Sequence, residues 1–228
     1  MSRLKDENLE QDLLIEYTSR ILHFYRRNKI AVISGGIGLV LVIGLIIGYF
    51  IQSSQQEDEA QILLSTAEQY LMQGDYQRAL FGDDEALTLG FSQIADNYSG
   101  TNAGNLANYY AAIAEYEMEN YEEALQHIEQ FSVPEGIVGV GPLSLHAVIL
   151  SELGEHEQAA QIFLRAANWN ENNSTTPYNL LEAAFAFREA GLNGQAMEQL
   201  DKIISQYPDS QQNAEAQRLK GLLAARSQ

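Results

Sequence analysis

Four histidines, 31 Asp and Glu residues and no cysteine are the groups from which this 228-residue chain would have to assemble an active site. The histidines stand at 23, 127, 146 and 156. No two are spaced i, i+4, which would present a pair of imidazoles to a metal on one helical face. Without cysteine there is neither a thiolate ligand nor a disulfide. Acid pairs such as Asp83-Asp84 and Glu122-Glu123 belong to polar faces and turns. No serine occupies a Gly-x-Ser-x-Gly elbow. The glycine-rich stretch 132–141, SVPEGIVGVG, lacks the Gly-Lys-Ser/Thr ending of a phosphate cradle. It reads as a connection, with Pro142 starting the next helix. The sequence therefore predicts no catalytic, metal-binding or cofactor-binding residue and argues against an enzyme.

The remaining chemistry is contact with other polypeptides, and helices must position it. Strand signals are absent, so the soluble part is expected to be all-α. Four segments share one pattern: an Ala-bearing helix, a turn, and a second helix with Ala near its start. They are Ile62–Met72 with Ala79, Leu106–Met118 with Ala124, Leu143–Leu153 with Ala159, and Tyr178–Ala190 with Ala196. The turn residues Gly74, Glu119, Gly154 and Gly191 lie 45, 35 and 37 apart, near the period of about 34 of a tetratricopeptide repeat. Ala67, Ala112, Ala147 and Ala184 stand where paired helices must come close. No such hairpin buries its apolar face alone, so the units should stack into a solenoid of about four hairpins. Residues 213–226 are expected to cap it. About eleven extra residues between the first two units predict an additional helix over 87–98 and a turn at 99–104.

A solenoid offers a concave surface lined by the first helix of each hairpin. From these helices Tyr109, Ile113, Tyr116, Val148, Tyr178, Leu181, Phe185 and Arg188 would form an apolar, aromatic groove with an acidic rim, suited to extended or unfolded polypeptide. The competing reading is that several of these side chains pack the superhelix itself.

The repeats follow a run of 22 uncharged residues, Ile30 to Ile51. As a helix it reaches roughly 33 Å, enough for a hydrocarbon core of about 30 Å. It is longer than a signal-peptide core, and no small-residue cleavage site follows. A core helix of a soluble protein would carry a polar face, and this run has none. Gly44 and Gly48 have the spacing that lets membrane helices approach closely. Before the run stand Arg20, Arg26, Arg27 and Lys29; after it come Glu57, Asp58 and Glu59. Positive residues stay on the cytoplasmic side. The expected organisation is therefore a cytoplasmic segment 1–29, a single-pass transmembrane signal anchor 30–51, a polar linker 52–59 and a repeat domain 60–228 beyond the membrane, in the periplasm of a Gram-negative host. Leu9, Leu13, Leu14, Tyr17, Ile21 and Tyr25 form an apolar stripe on the cytoplasmic segment, fit for the headgroup plane or for a partner.

Charge is uneven. Residues 1–29 hold six Lys/Arg against five Asp/Glu, and the rest holds seven against 26. A surface this acidic repels nucleic acid and anionic headgroups.

Particular phrases carry a family resemblance: FYRRNKI before the span, LGFSQIADNYSGTNAGNLANYY, YEEALQHIEQF and AGLNGQAMEQLDKIISQYPDS. With the basic flank, anchor and repeats, the chain resembles the YfgM-like family, ancillary subunits of the SecYEG protein-export channel, in the form found in Bacteroidetes and their relatives. The stretch 96–110 is its most specific part. The resemblance implies an inner-membrane protein that associates with translocon subunits and with a membrane-anchored, prolyl-isomerase-like periplasmic chaperone. It implies help in handing emerging chains to the periplasmic chaperone network, and no catalytic residues. Two other roles fit the same residues: an anchored adaptor for cell-envelope assembly or division, and a regulator acting through its cytoplasmic stripe.

Overall fold

The computed structural model describes residues 17–20 and 22–226. Leu9, Leu13, Leu14 and Ile21 of the apolar stripe lie outside the described residues. The chain divides into two units, 1–55 and 56–228. Among the described residues every regular element is helical, and the only extended pairing is an isolated bridge between Asp83 and Thr88.

In the first unit, residues 17–20 and 22–27 are helical, followed by the start of the long helix α1, Lys29–Met72. Its apolar part is long and apolar enough to cross a membrane by length and composition. Its side chains are exposed, Leu45 to 75% and Tyr49 to 71%. A β-carbon added at Gly44 or Gly48 would meet nothing within 4 Å.

The polar residues 52–59, expected as a linker, are helical and fall within the bounds of α1. Neither Pro nor Gly lies between Gly48 and Gly74 to stop the helix.

The second unit is an array of hairpins. The end of α1 is followed by α2 (Tyr76–Phe81), and its Ala60, Leu64 and Ala67 share a core with Ala79 and Leu80. Then α4 (Asn102–Glu117) pairs with α5 (Tyr121–Gln130), α6 (Val140–Glu152) with α7 (His156–Trp169), and α8 (Thr175–Glu189) with α9 (Asn193–Gln206). The last helix, α10, is Asn213–Arg226, as expected. From α2 onward successive helices pack on one another, and α6 also meets α4 and α8, the first helices of its neighbouring hairpins.

Each hairpin turn is built the same way. Gly74, Glu119, Gly154 and Gly191 all have φ between 64° and 77°. The next residue's N–H reaches back to the carbonyl five residues earlier: Asp75 to Tyr70, Asn120 to Glu115, Glu155 to Leu150, and Leu192 to Phe187, at 2.8–2.9 Å. This is a Schellman turn, which satisfies carbonyls that the helix end would leave unpaired. Glu119 adopts at some cost a left-handed conformation that glycine takes freely.

The small residues settle the spacing between helices. Ala67, Ala112, Ala147 and Ala184, with Ala79, Ala124, Ala159 and Ala196, all have 0% exposure. A larger side chain at any of them would hold two helices apart. Around these contacts the bulk of the core is supplied by Phe91, Ile94, Leu143, Ile149, Phe163, Phe187, Leu200, Ile203 and Leu219.

Two sequence expectations need correction. The extra segment after α2 is helical only over α3, Phe91–Asn97, not from Leu87. Asp83 causes this: its Oδ1 accepts from the N–H groups of Glu85 (3.0 Å) and Ala86 (3.3 Å), and its backbone pairs with Thr88. Leu87 is left-handed, φ 53°. Gly90 passes so close to Leu80 that an added β-carbon would lie 2.3 Å from its carbonyl oxygen. The second correction concerns the glycine-rich connection. It closes in a short 3-10 turn, Ile137–Gly139, and α6 starts at Val140, so Pro142 lies within its first turn.

Candidate protein-binding surface

The side chains proposed from the sequence for a groove lie on α4, α6 and α8, and their packing differs. Tyr109 is half-buried, its ring 5.4 Å from Phe131 and 5.8 Å from Tyr110. Burial pushes its phenol above the ordinary value. Tyr116 is half-buried against Tyr121, ring centres 5.7 Å apart. Its phenol is raised by burial and then by neighbouring acids and tyrosines, among them Glu152 and Tyr178. Ile113 and Val148 are also half-buried, with Val148 against the core.

Leu181 does not belong to an open surface. It is 7% exposed and part of the main core, one of the side chains that pack the array itself. Its neighbours on α8 behave otherwise. Tyr178 is 43% exposed. Phe185 is half-buried and carries the Arg188 guanidinium 5.2 Å above its ring, while Arg188 also pairs with Glu189. A guanidinium over an aromatic face is attracted by the ring quadrupole.

Tyr178 borders a cavity of about 740 Å³ at the start of α6 and α8, lined also by Ile137, Val140, Ser144, Asn179 and Asp209. Asn179 is 1% exposed; its Oδ1 accepts from Ser144 Oγ at 2.7 Å, and its amide donates to Thr175 O at 2.9 Å. A buried amide with both ends satisfied fixes α8 against α6. The sequence reading did not include Asn179; an Asn one turn after the helix start, among apolar neighbours, was its only signal.

Other polar contacts escaped the sequence as well. Tyr110 hydrogen-bonds Glu68 on α1, and its hydroxyl is pushed up to about 12 by burial and by that carboxylate. The His127 ring lies 3.3 Å from Asn108 Oδ1, and burial lowers its basicity. Among the described residues no group of three or more His, Asp or Glu is placed to hold a metal ion.

The repeat geometry agrees with a sequence comparison. The tetratricopeptide repeat family matches residues 178–210, which cover most of α8 and all of α9. No curated protein matches this chain. The protein is thus all-helical among its described residues and carries a tetratricopeptide repeat, the architecture of protein–protein interaction scaffolds, with an N-terminal helix long and apolar enough for a membrane.

Proposed function

We propose that this chain is a non-catalytic, membrane-anchored scaffold of the bacterial envelope: an ancillary subunit of the SecYEG translocon that links emerging secretory chains to periplasmic chaperones. One observation carries the reading. The helix α1 is bare and apolar over Ile30–Ile51, and its later residues Ala60, Leu64 and Ala67 belong to the core of the repeat array. Exposed apolar side chains on this scale need a bilayer or a partner to cover them. The resemblance of its phrases to YfgM-like proteins points to the particular partner.

In this reading residues 1–29 are cytoplasmic, 30–51 span the inner membrane once, and 60–228 form the periplasmic domain, with 52–59 a helical extension of the span. Gly44 and Gly48, open on their side of the helix, give a flat strip for a membrane helix of the channel. Tyr109, Ile113, Tyr116, Val148, Tyr178, Phe185 and Arg188 offer the repeat surface to a chaperone or a nascent chain.

The test is photocrosslinking from probes at Gly44, Tyr109 and Phe185 in intact cells, with protease digestion of opened outer compartments to fix the topology. Channel subunits and secretory chains are the expected products. Capture of division or cell-wall proteins alone would replace the translocon with a cell-envelope adaptor. Resistance of the repeat domain to the protease in opened compartments would remove the periplasmic reading.

A further inference from the structure

The repeat domain holds few cations among many acids, and five of the six whose side chains are described form ion pairs. Arg78 lies 3.3 Å from Asp75 and 3.4 Å from Asp83, and Lys202 lies 3.0 Å from Glu198. Arg188, Arg218 and Lys220 pair with Glu189, Glu215 and Asp201. Among the described side chains of this unit, Arg165 alone has no carboxylate within 4.0 Å. Its guanidinium lies instead over the Trp169 ring, 5.2 Å from the centroid.

Arg165 borders a cleft of about 320 Å³ between the end of α5, the start of α6 and the last turns of α7. The floor is apolar: Phe131 and Leu143 are buried, and Val133 is half-buried. His146, half-buried, and Glu129, exposed, complete the rim. The wall is fixed in place. Trp169 Nε1 donates to Pro134 O at 3.0 Å, and Gly139 makes room for that ring, since an added β-carbon would lie 2.3 Å from Nε1. Ile137 and Val138, on the same connection, are 52% and 66% exposed. Arg and Trp beside exposed apolar side chains are the residue types that dominate protein interfaces.

We infer that this cleft, formed by the ends of α5 and α7 with the start of α6 and lined by none of the groove residues, receives an acidic side chain of a partner polypeptide. The carboxylate meets Arg165, and the apolar residues flanking it rest on Val133, Phe131 and Leu143. Charge selects the occupant. One guanidinium without an ion pair complements one carboxylate, whereas Glu129 on the rim and the acidic surface of this unit oppose a polyanion such as nucleic acid. The inference is independent of the translocon reading and requires no membrane.

Trp169, the only tryptophan in the chain, packs with Val133 and Leu143 beneath the Arg165 guanidinium, so its fluorescence reports on the edge of this cleft. The full chain in detergent is titrated with two blocked peptides, acetyl-Leu-Glu-Leu-amide and acetyl-Leu-Gln-Leu-amide. The Glu peptide should perturb Trp169 saturably and bind about fivefold tighter than the Gln peptide. That preference should disappear in Arg165→Gln and fade in about 0.5 M salt. Arg165 is exposed, so the variant should keep the wild-type thermal midpoint. Equal binding of the two peptides, no saturable response to either, or a preference surviving in Arg165→Gln would overturn the inference. So would a dimer, seen by sedimentation without peptide, that Arg165→Gln abolishes; the occupant would then be a second copy of the chain.

Discussion

The Glu57 carboxylate on α1 receives the N-terminus of α4: it accepts from the Asn102 N–H at 2.6 Å and from the Ala103 N–H at 3.1 Å, across 45 residues of sequence. Thr101 satisfies a third donor, its Oγ1 accepting from Gly104 N at 2.9 Å. Three of the four orphan N–H groups at this helix start are thus served, two of them by a negative charge placed where the helix dipole favours one.

Removing that carboxylate should therefore weaken the repeat array, although Glu57 lies next to the apolar run. Glu57→Ala is expected to lower unfolding free energy by about 1–2 kcal/mol, and Thr101→Ala by about 1 kcal/mol. Denaturant unfolding of the full chain in detergent, followed by circular dichroism, measures both. A change below about 0.3 kcal/mol for Glu57→Ala would show that the contact is not formed in solution.

The hairpin turns give a pair of opposite effects. Glu119 carries a side chain at φ 64°, so Glu119→Gly should stabilise by about 0.5–1 kcal/mol. Gly154, at φ 77°, should lose about 1 kcal/mol or more on Gly154→Ala. Urea midpoints decide, and the same sign for both substitutions would contradict the shared turn geometry.

The close helix contacts should tolerate no growth. Ala147 is 0% exposed between helices, and Ala147→Leu should cost about 1–3 kcal/mol. Differential scanning calorimetry should show a lowered Tm. Gly44→Leu and Gly48→Leu, with nothing within 4 Å, should leave the isolated chain's Tm unchanged and yet remove crosslinks from the span to the proposed membrane partner.

Two half-buried histidines and one half-buried acid set the pH response in opposite directions. His127 and His146 are held below 6.5 mainly by burial, although Glu115, Asp96 and Glu129 oppose the shift. Their contribution is fully present above pH 6.5 and is lost as pH falls through the folded values, because the unfolded chain binds protons first. Glu182 is raised above 4.5 by burial; its contribution is present below pH 4.5 and is lost as pH rises through the folded value. Glu182→Gln should therefore raise Tm at pH 7, and His127→Gln should flatten the decline below pH 6.5. For His146, Arg165 adds to the lowering, so Arg165→Gln should raise its basicity, read by imidazole carbon-bound proton shifts in NMR.

The repeat pattern was legible because its signals are local. Alanine at matched positions, a turn residue after each first helix and the return of large apolar residues repeat along the chain, and each follows from how closely two helices must approach. The insertion was less legible. Leu87 looks helical from its neighbours, but the Asp83 carboxylate captures the backbone donors that a helix would need. Leu181 shares the helical face proposed for a groove, yet burial depends on which neighbouring helix covers it, and spacing along one helix does not specify that.

The chain by itself determined the helical class, the repeat spacing and an apolar run long enough for a bilayer, since periodicity, steric size and transfer from water act over a few residues. Only tertiary structure decided that Glu57 serves the start of α4, that Ser144 meets Asn179, and that Arg165 has no carboxylate within 4.0 Å among the described residues. Hydrogen bonds and ion pairs act over a few ångströms between residues tens of positions apart, and stacking the hairpins is what sets those distances.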